Sequence, residues 1–436
     1  MHRRILSITI PSIVSNITVP LLGLADTAIT GHLGSAAYMA AIAIGTSVFS
    51  TCYWIFSFLR MATGGLTAQR FGASDWSGAR LCLKRAMLVA LGVSAGILLL
   101  QQPLATFALN LMDASGEVRT LALLYFRILV WGAPASLALF ALNGWFIGMQ
   151  DARSPMWVAL TQNVVNVALS AGLVFGAGWR IEGVATGTLV AQWTGCALAA
   201  TLALRRYRRL RLQADGRRIE RVTWRRYFSV GRDIFFRTLC LVSVMFSFTI
   251  FGARLGETVL AANAILMQFF LFVSYFMDGF AYAGEALGGR FLGSGERGAF
   301  RVLHRALFVW GIAMAGLFTL FFALAGEGAI GMLTNVEAVR QGAVRLLPVA
   351  IAVPFVSIAT FIYDGLFIGI TATREMFLST AVGTLGYFAL TALCADLPLM
   401  PPACWLWAAF LLYLALRGSV QACLLPRIVR RKFPEG

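Results

Sequence analysis

Four carboxylates stand inside long apolar runs of this 436-residue sequence, and they are the side chains best placed to do chemistry. Asp26 is flanked by Leu21, Leu22, Leu24, Ala25, Ala28 and Ile29, and Asp364 lies between Ile362-Tyr363 and Gly365–Gly369. Asp278 and Glu285 share a third run and, seven residues apart, project from nearly the same helix face. An acid at the centre of a membrane-embedded helix costs roughly 2.5–3.5 kcal/mol on insertion scales, so each is a functional candidate by default. Removal from water disfavours the charged carboxylate. Asp26, whose run holds no Arg or Lys beyond its N-terminal turn, is therefore expected to take up and release a proton. A structural ion pair is the alternative for Asp278, Glu285 and Asp364, because Arg60, Arg127, Arg237 and Arg345 lie in or near apolar runs too. Asp233 is close enough to a run's start to be interfacial. Other chemistries find no residues. The seven cysteines (52, 82, 196, 240, 394, 404, 423) are scattered without a CxxC pair, and the three histidines form no cluster. Neither a metal site nor a redox centre is expected, and no cofactor beyond a coupling ion.

The elements that must hold these acids follow from composition. Apolar types make up 59% of the chain and charged types 13%, with a mean hydropathy of +0.78. A soluble domain carries roughly 25% charged residues, so lipid must be the solvent for most of this surface. A spanning helix needs about 20 mostly apolar residues. Polar punctuation divides the chain into about twelve such runs: 5–31, 36–64, 83–108, 118–149, 156–178, 183–204, 231–253, 259–288, 302–326, 340–369, 376–396 and 401–424. The first run resembles a signal peptide at Arg3-Arg4, yet it continues to Gly31 without an A-x-A-like site and is read as retained.

The net charge of +17 follows the pattern of a threaded membrane protein and not that of a nucleic-acid groove. Arginines fill the connections after even-numbered runs, including the block Arg205, Arg206, Arg208, Arg209, Arg211, Arg217, Arg218, Arg221, Arg225 and Arg226. Acids such as Asp113, Glu117, Glu182, Glu257, Glu327 and Glu337 sit after odd-numbered ones. Both termini are therefore expected on the cytoplasmic side of the inner membrane.

The chain also repeats itself. Tyr38–Ile44 matches Val259–Ile265 and Leu66–Asp75 matches Leu287–Glu296, at an offset near 221, and Asn143–Gly148 matches Asp364–Gly369. Six runs per unit give a parallel repeat. The expected fold is an all-α membrane protein of two pseudo-symmetric six-helix lobes around a central cleft. Its parts are an N-lobe over 1–204, an Arg-rich cytoplasmic linker over 205–230, a C-lobe over 231–424 and a basic tail over 425–436. The scaffold is duplicated but the acids are not, since Asp364 falls on Asn143 and Asp26 falls near Phe248. A proton and an organic cation competing for Asp26, combined with access alternating between the two sides, would give antiport. Pro11 and Pro20 precede Asp26, and a bend at Pro11 coupled to its protonation is expected.

Several motifs together resemble the multidrug and toxic compound extrusion (MATE) transporters, in their DinF-like branch. They are Asn16–Ser35 (NITVPLLGLADTAITGHLGS), Phe58–Ala73, Asn143–Pro155, Phe251–Gly256, Ser274–Gly289 and Tyr363–Gly369 (YDGLFIG), and the likeness extends over essentially the whole chain. The resemblance implies a monomeric exporter of small cationic or amphipathic compounds, driven by protons or sodium ions and not an enzyme. It assigns coupling to Asp26, to Asn166 on the fifth helix, to Thr188 on the sixth and to Asp364 on the tenth; beside it, the residues themselves leave Asn143, Ser170, Asp278 and Glu285 as secondary candidates. One departure bears on the ion: Ser170 stands where the family commonly has a second fifth-helix aspartate. The seventh-helix glutamate of another branch is also missing, as Leu239–Thr249 holds no acid. Proton coupling through Asp26 is therefore favoured over sodium. A flippase for a lipid or lipid-linked substrate is the alternative within the same superfamily. A membrane-embedded enzyme is weaker still, for lack of an HExxH motif or a pair of aspartates at a DxxxD spacing.

Overall fold

Surrounded by hydrocarbon, a backbone has no water to bond to, and a helix satisfies its N–H and C=O groups within one segment. In the computed structural model, which describes all residues except 34, 112–115, 209–223, 397–400 and 434–436, every regular element is helical. In chain order these are α1 (His2–Gly31), α2 (Ala36–Ile55), α3 (Phe58–Gly72), α4 (Trp76–Leu99), α5 (Gln101–Leu111), α6 (Gly116–Leu129), α7 (Ala133–Gly148) and α8 (Arg153–Ala171). There follow α9 (Ile181–Tyr207), α10 (Trp224–Arg254), α11 (Glu257–Ser294), α12 (Arg297–Leu333), α13 (Glu337–Gly369), α14 (Thr373–Asp396) and α15 (Pro402–Lys432). Among the described residues, twelve stretches are long and apolar enough to cross a membrane, α2–α3 and α6–α7 each counting as one. Large apolar side chains such as Leu99, Leu324 and Met332 are at least 80% exposed, as they would be against lipid.

The helices run further than the apolar runs that announce them. Arg70, Arg80, Arg290 and Arg301, which fall between the expected runs, are helical. The third span begins at Trp76, not 83, because Asp75 caps α4 by accepting from Gly78 N at 2.8 Å while pairing with Arg70 at 3.0 Å. Its expected end at 108 is corrected as well: α4 stops at Leu99, and α5 carries Pro103 in its first turn, where a missing N–H costs nothing. The linker expected over 205–230 is partly helix, since α9 reaches Tyr207 and α10 starts at Trp224; Arg209, Arg211, Arg217, Arg218 and Arg221 lie outside the described residues, as does Asp113. The expected tail continues α15 to Lys432, whose Nζ donates to Ile370 O at 2.7 Å.

The chain forms two compact units, one of Ile10–Tyr227 and one of Met1–Thr9 with Phe228–Gly436. The first nine residues thus group with the second half, where Ile5 and Ile8 are buried and His2 Nδ1 accepts from Trp310 Nε1 at 3.0 Å. The division falls within α1 beside Pro11, through which the helix runs continuously.

Each unit contains a close helix crossing that the repeat shares. In the first, α7 lies on α3: a Cβ on Gly144 would collide with Arg60 O, and one on Gly148 would fall 2.7 Å from Gly64 O. In the second, α13 lies on α11: a Cβ on Gly365 would collide with Ala281 O, and one on Gly369 with Glu285 O. All four positions of the first crossing map onto the second at a separation of 221 residues. The repeated Gly-x-x-x-Gly is therefore a packing device in which small residues let two backbones touch. The units differ in continuity. α2 and α3 break at Phe56-Ser57, a 3-10 turn spans Val130–Gly132 and a π-turn spans Gly172–Gly176, whereas α11 and α13 run unbroken.

Candidate functional site

In the first unit, α8 and α9 pack side by side and set amides and hydroxyls into an otherwise apolar bundle. A cavity of about 290 Å³ opens there, with Asn143 from α7, Gln162, Asn163 and Asn166 from α8, and Thr188 and Gln192 from α9 among its lining. Asn166 Nδ2 donates to Thr188 Oγ1 at 2.9 Å. The Thr188 hydroxyl spends its own hydrogen on Val184 O, also at 2.9 Å, so only its lone pair is free for Asn166. That fixes the amide's orientation and leaves Asn166 Oδ1 as a buried acceptor without a partner. Asn143 Oδ1 and Gln192 Oε1 are buried and unpartnered in the same way. An oxygen held out of water without a donor is costly, so this cavity is prepared for a guest that brings N–H groups or positive charge.

Asp26 stands on α1, half-buried, with Oδ1 enclosed and lacking any hydrogen-bond partner. No arginine or lysine pairs with it among the described residues. In the same unit the Tyr125 hydroxyl lies 3.4 Å from Thr46 Oγ1. Leu22, one turn before Asp26, lines the cavity, and Asn163 Nδ2 ties α1 to α8 by donating to Thr18 O at 3.1 Å. Asp26, Asn166 and Thr188 thus belong to one unit, with Asn166 and Thr188 lining the cavity and Asp26 one turn beyond the lining residue Leu22. Ser170 is fully buried with its hydroxyl unpartnered, and α9 passes so near that a Cβ on Gly187 would collide with it.

Asp364 has different company. It belongs to the second unit, where Arg237 Nη2 and Arg417 Nη2 both reach Oδ2, the latter at 2.7 Å, and Gln421 Nε2 donates to Oδ1 at 2.7 Å. The expected group of four coupling residues is therefore divided, with three in the first unit and Asp364 held by two guanidiniums in the other. Asp278 is half-buried and Glu285 buried on α11, and neither lines the amide cavity. Asp233 receives Thr373 Oγ1 at 3.1 Å and Arg232 at 3.1 Å, as an interfacial acid would.

Tyr125, Gln162, Asn163, Gln192, Arg417 and Gln421 were not singled out from the sequence. The amides carried a usable signal, since Gln162, Asn163 and Asn166 fall on one side of a helix otherwise rich in valine and alanine. Arg417, a lone cation inside LLYLALRGSV, carried the same signal as the acids.

Comparison with known proteins agrees with this architecture. A family model described as MatE matches residues 11–171 and 234–393, one stretch in each repeat. The DNA damage-inducible protein F of Escherichia coli is 38% identical over 421 residues, covering 96% of this chain and 90% of that protein. A probable multidrug resistance protein NorM of Rhizobium meliloti is 28% identical over 82% of this chain and 76% of its own length. Among solved structures, the Vibrio cholerae MATE transporter in its bent form superposes with a TM-score of 0.84 at 17% identity, covering 99% of this chain and 97% of that one, which is a likeness of fold.

Proposed function

The chain belongs to the MatE family, and we propose that it is a secondary antiporter that expels small organic cations or amphipathic toxic compounds in exchange for protons. It is a multi-pass membrane transporter and not an enzyme, and the exchange needs no cofactor. The naming of its NorM relative as a probable multidrug resistance protein supports export of foreign compounds.

The observation that carries the reading is an enclosed carboxylate oxygen with no partner, close to a cavity of unpartnered amide oxygens. In one state Asp26 holds a proton and is neutral, which suits its burial. When a cation enters, the proton leaves and the carboxylate supplies the countercharge. Asn143, Asn166 and Gln192 accept hydrogen bonds from the cargo, and Thr188 holds Asn166 in the accepting orientation. We leave Asp364 outside the exchange, because Arg237 and Arg417 already more than neutralise its charge. Protons are favoured over sodium by the single carboxylate: Ser170 adds no second charge to the first unit's site. We further propose an inner-membrane location with both termini cytoplasmic, from the placement of the arginines, and a monomer as the working unit.

The competition can be read without a membrane. Purified protein in weakly buffered detergent solution, titrated with a fluorescent organic cation, is expected to release protons as cation binds. The Asp26→Asn variant should release none. Equal release by the variant removes Asp26 from the exchange, and sodium-dependent binding without proton release replaces protons by sodium.

A further inference from the structure

The three helices around Asp364 bring together more positive charge than they neutralise. Arg237 on α10 and Arg417 on α15 both bond Oδ2 of Asp364 on α13, and Gln421 takes Oδ1. Among the described residues, Asp364 is the sole carboxylate within salt-bridge distance of either guanidinium. Two cations therefore share one anion at side chains only 8% and 5% exposed. Arg417 finds partial relief, donating to Tyr413 Oη at 3.2 Å and lying 5.1 Å over that ring. Among the described residues, the Arg237 side chain makes no hydrogen bond besides the one to Asp364, and the Nε atoms of both arginines are buried without partners. Gln421 Oε1 is unpartnered too.

This is a constructed arrangement. A Cβ on Gly383 would fall 2.8 Å from Arg417 Cγ, so α14 gives up a side chain to admit the arginine's stem. A bundle that needed only a brace between α10, α13 and α15 would be served by one arginine and one acid, since each extra buried charge must be compensated. A guanidinium presents several N–H groups in a fixed fork matched to carboxylate and phosphate oxygens.

We propose that Arg237 and Arg417 form a binding site for an organic anion, a carboxylate or phosphate group, whose charge completes the cluster. Asp364 is then the internal competitor of that anion: it holds the two forks in position and surrenders part of their hydrogen bonding when the ligand enters. The site has charge opposite to that of Asp26 and lies in the other unit. It goes beyond the exchange of cations for protons and does not rest on it.

The test uses the full-length protein in an uncharged detergent, with octyl phosphate, octanoate and inorganic phosphate as probes and octanol as the uncharged control. Thermal unfolding followed by tryptophan fluorescence reads binding as a rise in melting temperature, with no gradient and no transported cation, so its outcome is separate from that for Asp26. Octyl phosphate or octanoate should stabilise the wild type and octanol should not. Stabilisation by inorganic phosphate as well assigns recognition to the headgroup alone, and its absence assigns it to the whole amphiphile. Arg237→Gln should weaken binding by about thirty-fold or more, the usual scale for losing one fork from a buried charge pair. Asp364→Asn, which frees both guanidiniums, should melt lower without ligand yet bind the same anion more tightly, and general misfolding cannot produce that combination. The proposal is overturned if the wild type is indifferent to all three anions, if octanol stabilises equally, if Arg237→Gln binds as well as wild type, or if both variants lose binding.

Discussion

Asp26 and Asp364 are the same side chain in similar apolar runs, and their neighbours set them apart. One keeps an enclosed oxygen without a donor, while the other receives two arginines and a glutamine. Two substitutions with the same chemistry should therefore fail differently. Asp26→Asn should fold normally and lose proton-linked release, whereas Asp364→Asn should lose stability, by about 3–5 kcal/mol if both guanidiniums stay buried without their carboxylate. Melting curves of the two variants in anion-free detergent check this. Thr188→Val is a finer probe. It removes the oxygen that receives Asn166 Nδ2 at 2.9 Å, so the amide is free to turn. Cation affinity should fall by about ten-fold, the scale of one or two lost polar contacts, with little change in melting temperature. Asp26 was legible in the sequence because a lone acid among leucines is costly to insert and has no cation in its own run to offset it. Asp364 was legible as important, but its pairing was not, because Arg237 and Arg417 lie 127 and 53 residues away and meet it only through the packing of α10, α13 and α15.

At the level of the helices, the repeat visible as matching strings has a physical cause in the two crossings. Gly144 and Gly148 on α7, and Gly365 and Gly369 on α13, are the points where one backbone touches another. Gly144→Val and Gly365→Val should damage their own units alike, with an overpacking cost of about 1–3 kcal/mol or more, read as a lower yield of folded protein after detergent extraction. The matching strings located these positions; what they touch required knowing which helices cross. The breaks in α2–α3 and at Val130–Gly132 were not legible, because the aligned segments of α11 and α13 run unbroken. Among the described residues they fall in the unit that holds the amide cavity, and irregular turns of this kind often accompany functional sites. Pro11 belongs to the same level. It sits beside the point where α1 passes from one unit to the other, so Pro11→Ala should slow exchange while leaving cation affinity in detergent unchanged.

For the molecule as a whole, composition and the alternation of charged connections were enough to read twelve spans, since lipid leaves a chain few other ways to satisfy its backbone, and the matching strings supplied the twofold repeat. The division into units was less accessible. The grouping of Met1–Thr9 with the second half depends on contacts such as that of His2 with Trp310, which no local pattern encodes. The carboxylate of Asp26 in one unit and the two guanidiniums on Asp364 in the other are the basis for proposing that cation exchange belongs to the first half. The most direct test is efflux of a fluorescent organic cation from proteoliposomes under an imposed pH gradient, comparing wild type, Asp26→Asn and an equal sodium gradient without a pH difference. Gradient-driven efflux by the wild type, its loss in Asp26→Asn and no response to sodium are the predicted results. Undiminished pH-driven efflux in Asp26→Asn, or efflux driven by sodium alone, would contradict the account.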